Sequence, residues 1–370
     1  MRLIAQSAAF LLLPLGLYLF LIFGLPVDFF SFRVWEAVES NPTFSPHRPF
    51  YPGMRISRSE QGDLAHHTKF ARQRDVYWET DANGFRTTRS TAEEPKVFIV
   101  GDSATLGSGL SQPQTLASEA ARLLKKIVYP YAPRSVPQLL EDRRFKLQPG
   151  SIVVFAPSER NLWWQRLPLE LDPVLRRLRF NLEDWQNRSP LFSQVCVALD
   201  RIFKGAPVLF ARAATRRAVI KAFFGAQGFP AFTVEGKHEW FFLWDDIHAP
   251  LPTQQDFADI EHKILSYKEA VEKQGAKFVF MPIPEKGTIL HRHLPAHVPA
   301  RSASVLAELQ DRIARKGVLS VDLLTPFMRQ TNTGEVLYQI DDSHWSSAGV
   351  KIAAQELKHL LEEEFASNDR

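Results

Sequence analysis

The apolar run Lys96-Val97-Phe98-Ile99-Val100 stops at Gly101-Asp102-Ser103, and this junction constrains the fold more than any other feature of the chain. A short run with no polar face suits a strand buried on both sides of a parallel sheet. Parallel neighbours need crossover connections, and helical spacing follows where such connections belong. Thr115 to Lys126 (TLASEAARLLKK) places apolar residues at helical intervals, Ile127 to Tyr129 reads as a second strand, and Val136 to Phe145 as a second helix. Ser151 to Ala156 (SIVVFA), after Pro149-Gly150, is a third strand. The alternation resumes late in the chain, with a helix from Gln255 to Gln274 and a strand from Lys277 to Met281. A helix at Ser302 to Lys316 and a strand at Val318 to Val321 follow. The last helix, Ser347 to Phe365, carries Val350, Ala353, Ala354, Leu357 and Leu361 on one face. The pattern predicts an α/β fold with a doubly wound, mostly parallel sheet flanked by helices.

Other segments stand outside that rhythm. Leu3 to Pro26 (LIAQSAAFLLLPLGLYLFLIFGLP) carries no charge. Roughly 20 apolar residues suffice to cross a hydrocarbon core of about 30 Å. Arg2 precedes the stretch, which predicts a short cytoplasmic end and an exported remainder. The run is longer than the apolar core of a signal peptide and no small-x-small site follows, so it reads as a retained single-pass anchor in the inner membrane. The expected organisation is an anchor over 1–30, an irregular leader over 31–90 and the α/β domain over 91–366, facing the periplasm or exterior. Within the domain, 161–244 is rich in Arg, Phe and Trp and reads as an inserted cap, with helices at Leu167 to Trp185 and Val208 to Phe224. In the leader, Asn83-Gly84 inside Asp81 to Arg86 signals a tight turn, read as a surface turn.

Composition removes several classes of function. With 45% hydrophobic and 23% charged residues the chain is not disordered, and a net charge of +4 without a basic run gives no nucleic-acid footprint. Cys196 is the single cysteine, which excludes an intramolecular disulfide and a cysteine metal site. Its place in Val195-Cys196-Val197 marks a buried small hydrophobe and not a nucleophile. His291-x-His293 has no third ligand at a diagnostic spacing, and with Lys286 it is expected on a solvated loop. No metal or cofactor is predicted.

Two motifs carry chemistry. Ser103 follows a strand and precedes a helix, which puts it at the carboxyl edge of the sheet beside free helix N–H groups. Far away, Asp341-Asp342-Ser343-His344-Trp345 sits just before the last helix, where a histidine beside carboxylates can serve as a general base. Together they supply a nucleophile, an acid and a base in the order Ser…Asp…His. The pair resembles the SGNH, or GDSL-type, hydrolase superfamily: Gly101-Asp102-Ser103 is similar to its first block and the Asp/His344 segment to its last.

Further segments resemble the alginate O-acetyltransferase-like branch. Glu235-Gly236-Lys237-His238-Glu239-Trp240-Phe241-Phe242-Leu243 is similar to its G-x-x-x-W-L-F strand. Pro282-Ile283-Pro284-Glu285-Lys286, with Leu294-Pro295, is similar to P-x-K…L-P, and Asp342-Ser343-His344-Trp345 to D-x-H-W. Ser158-Glu159-Arg160 resembles an E-R element after a strand. The order departs from that branch, because the serine block here precedes the D-x-H-W block, as though circularly permuted. The superfamily spacing selects Asp341 as the triad acid, the branch spacing Asp342, and the following Trp345 favours Asp342. The oxyanion donors are the Ser103 N–H with Asn161 or, in its place, Arg160, and Trp345 and Trp163 are candidate substrate contacts. Trp163, Trp164, Trp185, Trp240 and Trp244 are candidates for a sugar groove or for core. The implied function is transfer of an acetyl group to an exported polysaccharide, with a membrane-bound O-acyltransferase as donor partner. An esterase or deacetylase with the same triad, and a non-catalytic polysaccharide-binding or assembly factor, are the alternatives.

Overall fold

The computed structural model describes residues 2–40, 48–87, 94–164, 181–182, 185–205, 207, 211, 215, 219, 233–248, 250–295 and 304–365. The helices expected over 167–185 and 208–224 lie almost entirely outside the described residues, as does the side chain of Trp164. The chain divides into two compact units, residues 1–51 with 171–228, and residues 52–170 with 229–370.

The larger unit opens with an antiparallel ribbon, β1 (Arg55–Glu60) and β2 (Arg74–Glu79), in the register Arg55↔Glu79 to Glu60↔Arg74. This corrects the expectation of an irregular leader. Strand β1 alternates between exposed and half-buried residues, but its apolar content is too low to show a period in the sequence. A parallel sheet follows: β3 (Val97–Gly101), β4 (Val128–Tyr131), β5 (Ile152–Ala156), then, after the short antiparallel pair β6 (Thr233–Glu235) and β7 (Phe241–Leu243), β8 (Lys277–Phe280) and β9 (Leu319–Ser320). The order is β4-β3-β5-β8-β9, with every pairing parallel. Every residue of β3, β4 and β5 is buried, which is why these strands read as unbroken apolar runs.

The connections out of β3 run to β4 on one flank, and the chain then returns to β5 on the other. Such a reversal opens a crevice at the carboxyl end of the first strand, and Ser103 sits there. The helix beginning at Val136 stops at Glu141, shorter than its periodicity suggests. The Asp142 carboxylate accepts hydrogen bonds from the Arg144 amide at 3.1 Å, the Arg144 guanidinium and the Tyr131 hydroxyl, which turns the chain out of the helix. The final helix, Ser347–Phe365, buries Val350, Ala353, Ala354, Leu357 and Leu361 and packs on the helix Leu116–Leu124.

The segment Asp81 to Arg86 is not a surface turn. Gly84 takes the left-handed conformation that the turn requires (φ 76°), but the ends on either side are buried. Asp81 accepts from the Asn83 and Phe85 amides and from the Tyr129 hydroxyl, and burial raises its pKa above the ordinary carboxylate value. Arg86 is fully enclosed over the Trp78 ring and donates to the carbonyls of Leu106, Gly107 and Leu110, at and just after the end of the short helix Ser103–Leu106. Desolvation lowers its pKa to about 9.

In the smaller unit, helix Arg2–Phe23 and helix Pro190–Lys204 are in contact. Among the described residues, no helix is long and apolar enough to cross a membrane.

Candidate active site

Ser103 begins a one-turn helix, Ser103–Leu106, directly after β3. Asp102 caps it: its Oδ1 accepts from the Ala104 amide at 2.9 Å, and its Oδ2 accepts from the Ser158 amide (2.8 Å), the Ser158 hydroxyl (2.6 Å) and the Asn161 side-chain amide (2.5 Å). The aspartate therefore ties the nucleophile turn to the loop after β5. Gly101 permits this approach, because a Cβ there would overlap Thr105 and the Ala156 carbonyl. As the first helical residue, Ser103 has an N–H without an intrahelical acceptor, suited to an oxyanion.

The partner histidine arrives from the far end of the chain. His344 Nε2 lies 2.8 Å from Ser103 Oγ, and His344 Nδ1 lies 2.6 Å from Asp342 Oδ1. His344 and Asp342 are buried while Ser103 is half-buried, so the line runs from an enclosed carboxylate toward the surface. Asp342 is the acid of this line. Asp341 is turned away from the histidine and accepts from the amides of Gly62 (3.1 Å) and Arg72 (2.8 Å), with the Arg74 guanidinium on its other oxygen.

Two adjacent buried carboxylates repel each other and must be paired to stay charged. Arg74 provides this by spanning both, its second nitrogen 3.4 Å from Asp342 Oδ2, and the Asp63 amide also donates to that oxygen at 3.0 Å. The Asp63 carboxylate in turn accepts from the Ser343 amide and hydroxyl, both at 2.7 Å, and lies 3.8 Å from His344 Nδ1. Asp63, Asp342 and His344 are close enough to surround a cation, but hydrogen bonds within the loop already occupy these atoms. Gly62 is required where it stands, since a Cβ would collide with the Asp341 carbonyl. None of Gly62, Asp63, Arg72 or Arg74 is foreseeable from periodicity. The only trace in the sequence is a Gly-Asp pair in an otherwise polar stretch.

Lys286 is fully buried and not on a solvated loop. Its ammonium donates to the carbonyls of Gln339 (2.6 Å), Ile340 (2.9 Å) and Asp342 (2.9 Å), beside the rings of Trp240 and Phe242. The P-x-K and W-F-F-L segments thus form one brace under the histidine loop. The E-R element joins the same construction. Glu159 Oε2 accepts from the Glu285 amide and the Thr288 hydroxyl, while Glu285 accepts from the Arg160 amide and pairs with its guanidinium at 3.6 Å.

The remaining sequence candidates serve support more than substrate contact. Asn161 spends its side-chain amide on Asp102 and Ser158, and Arg160 is committed to Glu285. Trp345 is buried at 1% exposure and donates its indole N–H to the Ala104 carbonyl at 3.0 Å, which corrects its assignment to substrate binding. Trp163 stands edge-on to Phe257 against the core, and Trp240 is core, whereas Trp185 and Trp244 are exposed. His291 is exposed, and His293 has its pKa lowered by burial and by Arg292 and His238. The His291-x-His293 pair belongs to no metal-ligand cluster among the described residues. Cys196 is buried.

A serine at the end of the first parallel strand stands in line with a histidine and aspartate before the last helix, an arrangement similar to that of the SGNH superfamily, and residues 233–370 match the AlgX acetyltransferase SGNH hydrolase-like domain. Over that stretch the chain resembles the AlgX/AlgJ-like branch. The matched stretch holds His344, Asp342 and Lys286 but not Ser103. A Pseudomonas syringae pv. tomato protein named "Probable alginate O-acetylase AlgJ" is 30% identical over 125 residues, 34% of this chain and 32% of its own length. A Pseudomonas fluorescens protein of the same name is 22% identical over 136 residues, 36% and 34% of the two chains. The chain thus spans about a third of the length of these relatives. A solved structure described as a candidate SGNH hydrolase from Slackia heliotrinireducens aligns over 73% of this chain and all of its own, at 14% identity and a TM-score of 0.32.

Proposed function

We propose that this chain is a serine-dependent O-acetyltransferase that places acetyl groups on a hydroxyl of an exported polysaccharide, of the alginate kind named in its relatives. The observation that carries the reading is the continuous line Ser103 Oγ–His344 Nε2 and His344 Nδ1–Asp342 Oδ1, held in a buried loop. His344 Nε2 takes the proton as Ser103 Oγ attacks the acetyl carbonyl of a donor ester, and returns it to the departing alcohol. The Ser103 N–H, at the start of its helix, faces the developing oxyanion. A sugar hydroxyl then gives its proton to His344 and takes the acetyl group, restoring Ser103. The uncharged stretch Leu3–Pro26 serves as a membrane anchor that keeps the domain outside the cytoplasm, where a membrane-bound acyltransferase is the donor partner. Tethering at one surface raises the effective concentration of donor and acceptor enzymes.

The test is intact mass after incubation of the full chain in detergent with p-nitrophenyl acetate. Wild type gains about 42 Da as an acetyl-enzyme, and Ser103→Ala gains nothing and turns over about 10⁴-fold more slowly or worse. Acetylated oligouronate products select the transferase, and release of acetate alone selects an esterase. A folded wild type that forms no adduct with several donors leaves only a binding or assembly role.

A further inference from the structure

Helix Pro190–Lys204 is built inside out. The side chains it buries are Ser193, Cys196 and Asp200, at intervals of three and four that define one face. Two of these three are polar and serve as acceptors: the Ser193 hydroxyl takes a hydrogen bond from Arg48 at 2.8 Å, and Asp200 takes one from the Tyr51 hydroxyl at 2.7 Å. The opposite face presents Leu191, Val195, Leu199 and Phe203 at successive intervals of four, exposed by 72%, 46%, 39% and 69%. Trp185, one turn ahead of the helix, is 64% exposed and touches Phe192 edge-on. A surface helix in water shows the reverse, an apolar stripe inward and polar residues outward.

The apolar stripe does not stand alone. Helix Pro190–Lys204 is fastened near its carboxyl end to helix Arg2–Phe23: the Tyr18 hydroxyl donates to the Ile202 carbonyl at 2.7 Å, and the Arg201 guanidinium donates to the Ile22 carbonyl. Helix Arg2–Phe23 itself exposes Leu12, Leu13, Leu15, Leu17 and Phe20. Two helices that each expose large apolar side chains are thus fixed to each other by hydrogen bonds.

We propose that helix Pro190–Lys204 lies in the lipid interface and is a second membrane contact, with Leu191, Val195, Leu199 and Phe203 in the acyl boundary and Trp185 at headgroup level. The occupant of the exposed stripe is a lipid surface, because helix Pro190–Lys204 is hydrogen-bonded to the helix that carries the uncharged stretch beginning at Leu3, the proposed anchor. An interfacial aromatic at one end matches the position that tryptophan favours at such boundaries. The proposal rests on the anchor reading of Leu3–Pro26. Its consequence is that the smaller unit is held to the bilayer at two places and not by a single helix.

The experiment places one nitroxide at a time on the full chain, in a Cys196→Ala background, reconstituted into phosphatidylethanolamine and phosphatidylglycerol vesicles. The positions are Val195→Cys, Leu199→Cys and Phe203→Cys, with Leu17→Cys reporting the anchor and exposed Gln255→Cys reporting water. Collision with oxygen is compared with collision with an aqueous nickel chelate. The expected result is an oxygen-to-nickel ratio at 195, 199 and 203 on the order of tenfold above that at 255, as for side chains in the acyl boundary. If these labels match 255 while 17 reports lipid, the interfacial helix is overturned and the anchor stands. If 17 also matches 255, the anchor reading has failed with it. Labels shielded from both reagents and immobilised show a second copy or another protein on the stripe, which also overturns the proposal. Retained acetyl-adduct formation in each labelled chain verifies that it is folded.

Discussion

Ser103 and His344, the proposed nucleophile and base, are held by opposite means. Ser103 is fixed by its neighbours in sequence: β3 delivers it, Gly101 allows the tight approach, and Asp102 caps the turn and reaches the loop after β5. His344 is fixed from a distance. Asp63 and Arg74 come from more than 260 residues earlier and Lys286 from more than 50 residues earlier, and each grips the loop through a charge or a buried polar group. The contrast matters because a backbone turn carries its own geometry, whereas a charged clamp works only while every partner is present. Mutations on the two sides should therefore fail in different ways.

The largest effect separates the two neighbouring aspartates. Asp342→Asn leaves the shape of the loop but removes the charge that faces His344 Nδ1, so acyl transfer should fall about 10⁴-fold. Asp341→Asn touches neither Ser103 nor His344 and removes the closer of the two carboxylates that Arg74 spans, so its main cost should be stability, roughly 3 kcal/mol for a broken buried pair. Denaturant unfolding and single-turnover acetylation of both variants check the division. Equal rate losses would show that the loop does not distinguish the two carboxylates.

Lys286→Met comes next. The methionine keeps the volume and the contact with Trp240 and Phe242, but leaves the carbonyls of Gln339, Ile340 and Asp342 without the ammonium. Stability should fall on the order of 3 kcal/mol, and the rate by about 10²-fold as His344 loses its alignment. Unfolding midpoints and the rate of adduct formation measure the two losses. A variant of wild-type stability with wild-type rate would break the idea that the base is clamped from outside its own loop.

The same contrast explains what can be read from the sequence. Buried parallel strands announce themselves as apolar runs, and the central strands were legible to within a residue or two at each end. Ser103, His344 and Asp342 are legible as candidates because each sits in a short motif at the end of an element, and the structure brings the three into one line. Asp63 and Arg74 were not, since a polar residue that pairs across the chain leaves no period and no local pattern. Lys286 was misplaced on a solvated loop for a related reason: a lone lysine reads as a surface residue unless its acceptors are known, and here they are backbone carbonyls far along the chain. Helix Pro190–Lys204 falls between the two helices expected in 161–244, and periodicity alone cannot say whether an apolar stripe faces the protein or away from it.

One residue belongs to both sides, and it supplies the finest test of the comparison. Trp345 follows the base directly, yet its indole N–H is spent on the carbonyl of Ala104, next to the nucleophile. It is the joint through which the distantly clamped loop is registered on the locally built turn. Trp345→Phe keeps most of the buried ring and deletes only that hydrogen bond, leaving the Ala104 carbonyl without its donor. The loss should be about 1 kcal/mol in stability. If the bond registers Ser103 against His344, the acetylation rate should fall about fivefold as well, because an effect of that size appears in the barrier when it governs alignment. Acetylation measured under single-turnover conditions, alongside the unfolding midpoint, reads both. A stability loss with an unchanged rate would mean that the two halves of the site find their register without the tryptophan, and that the shared packing beneath them is enough.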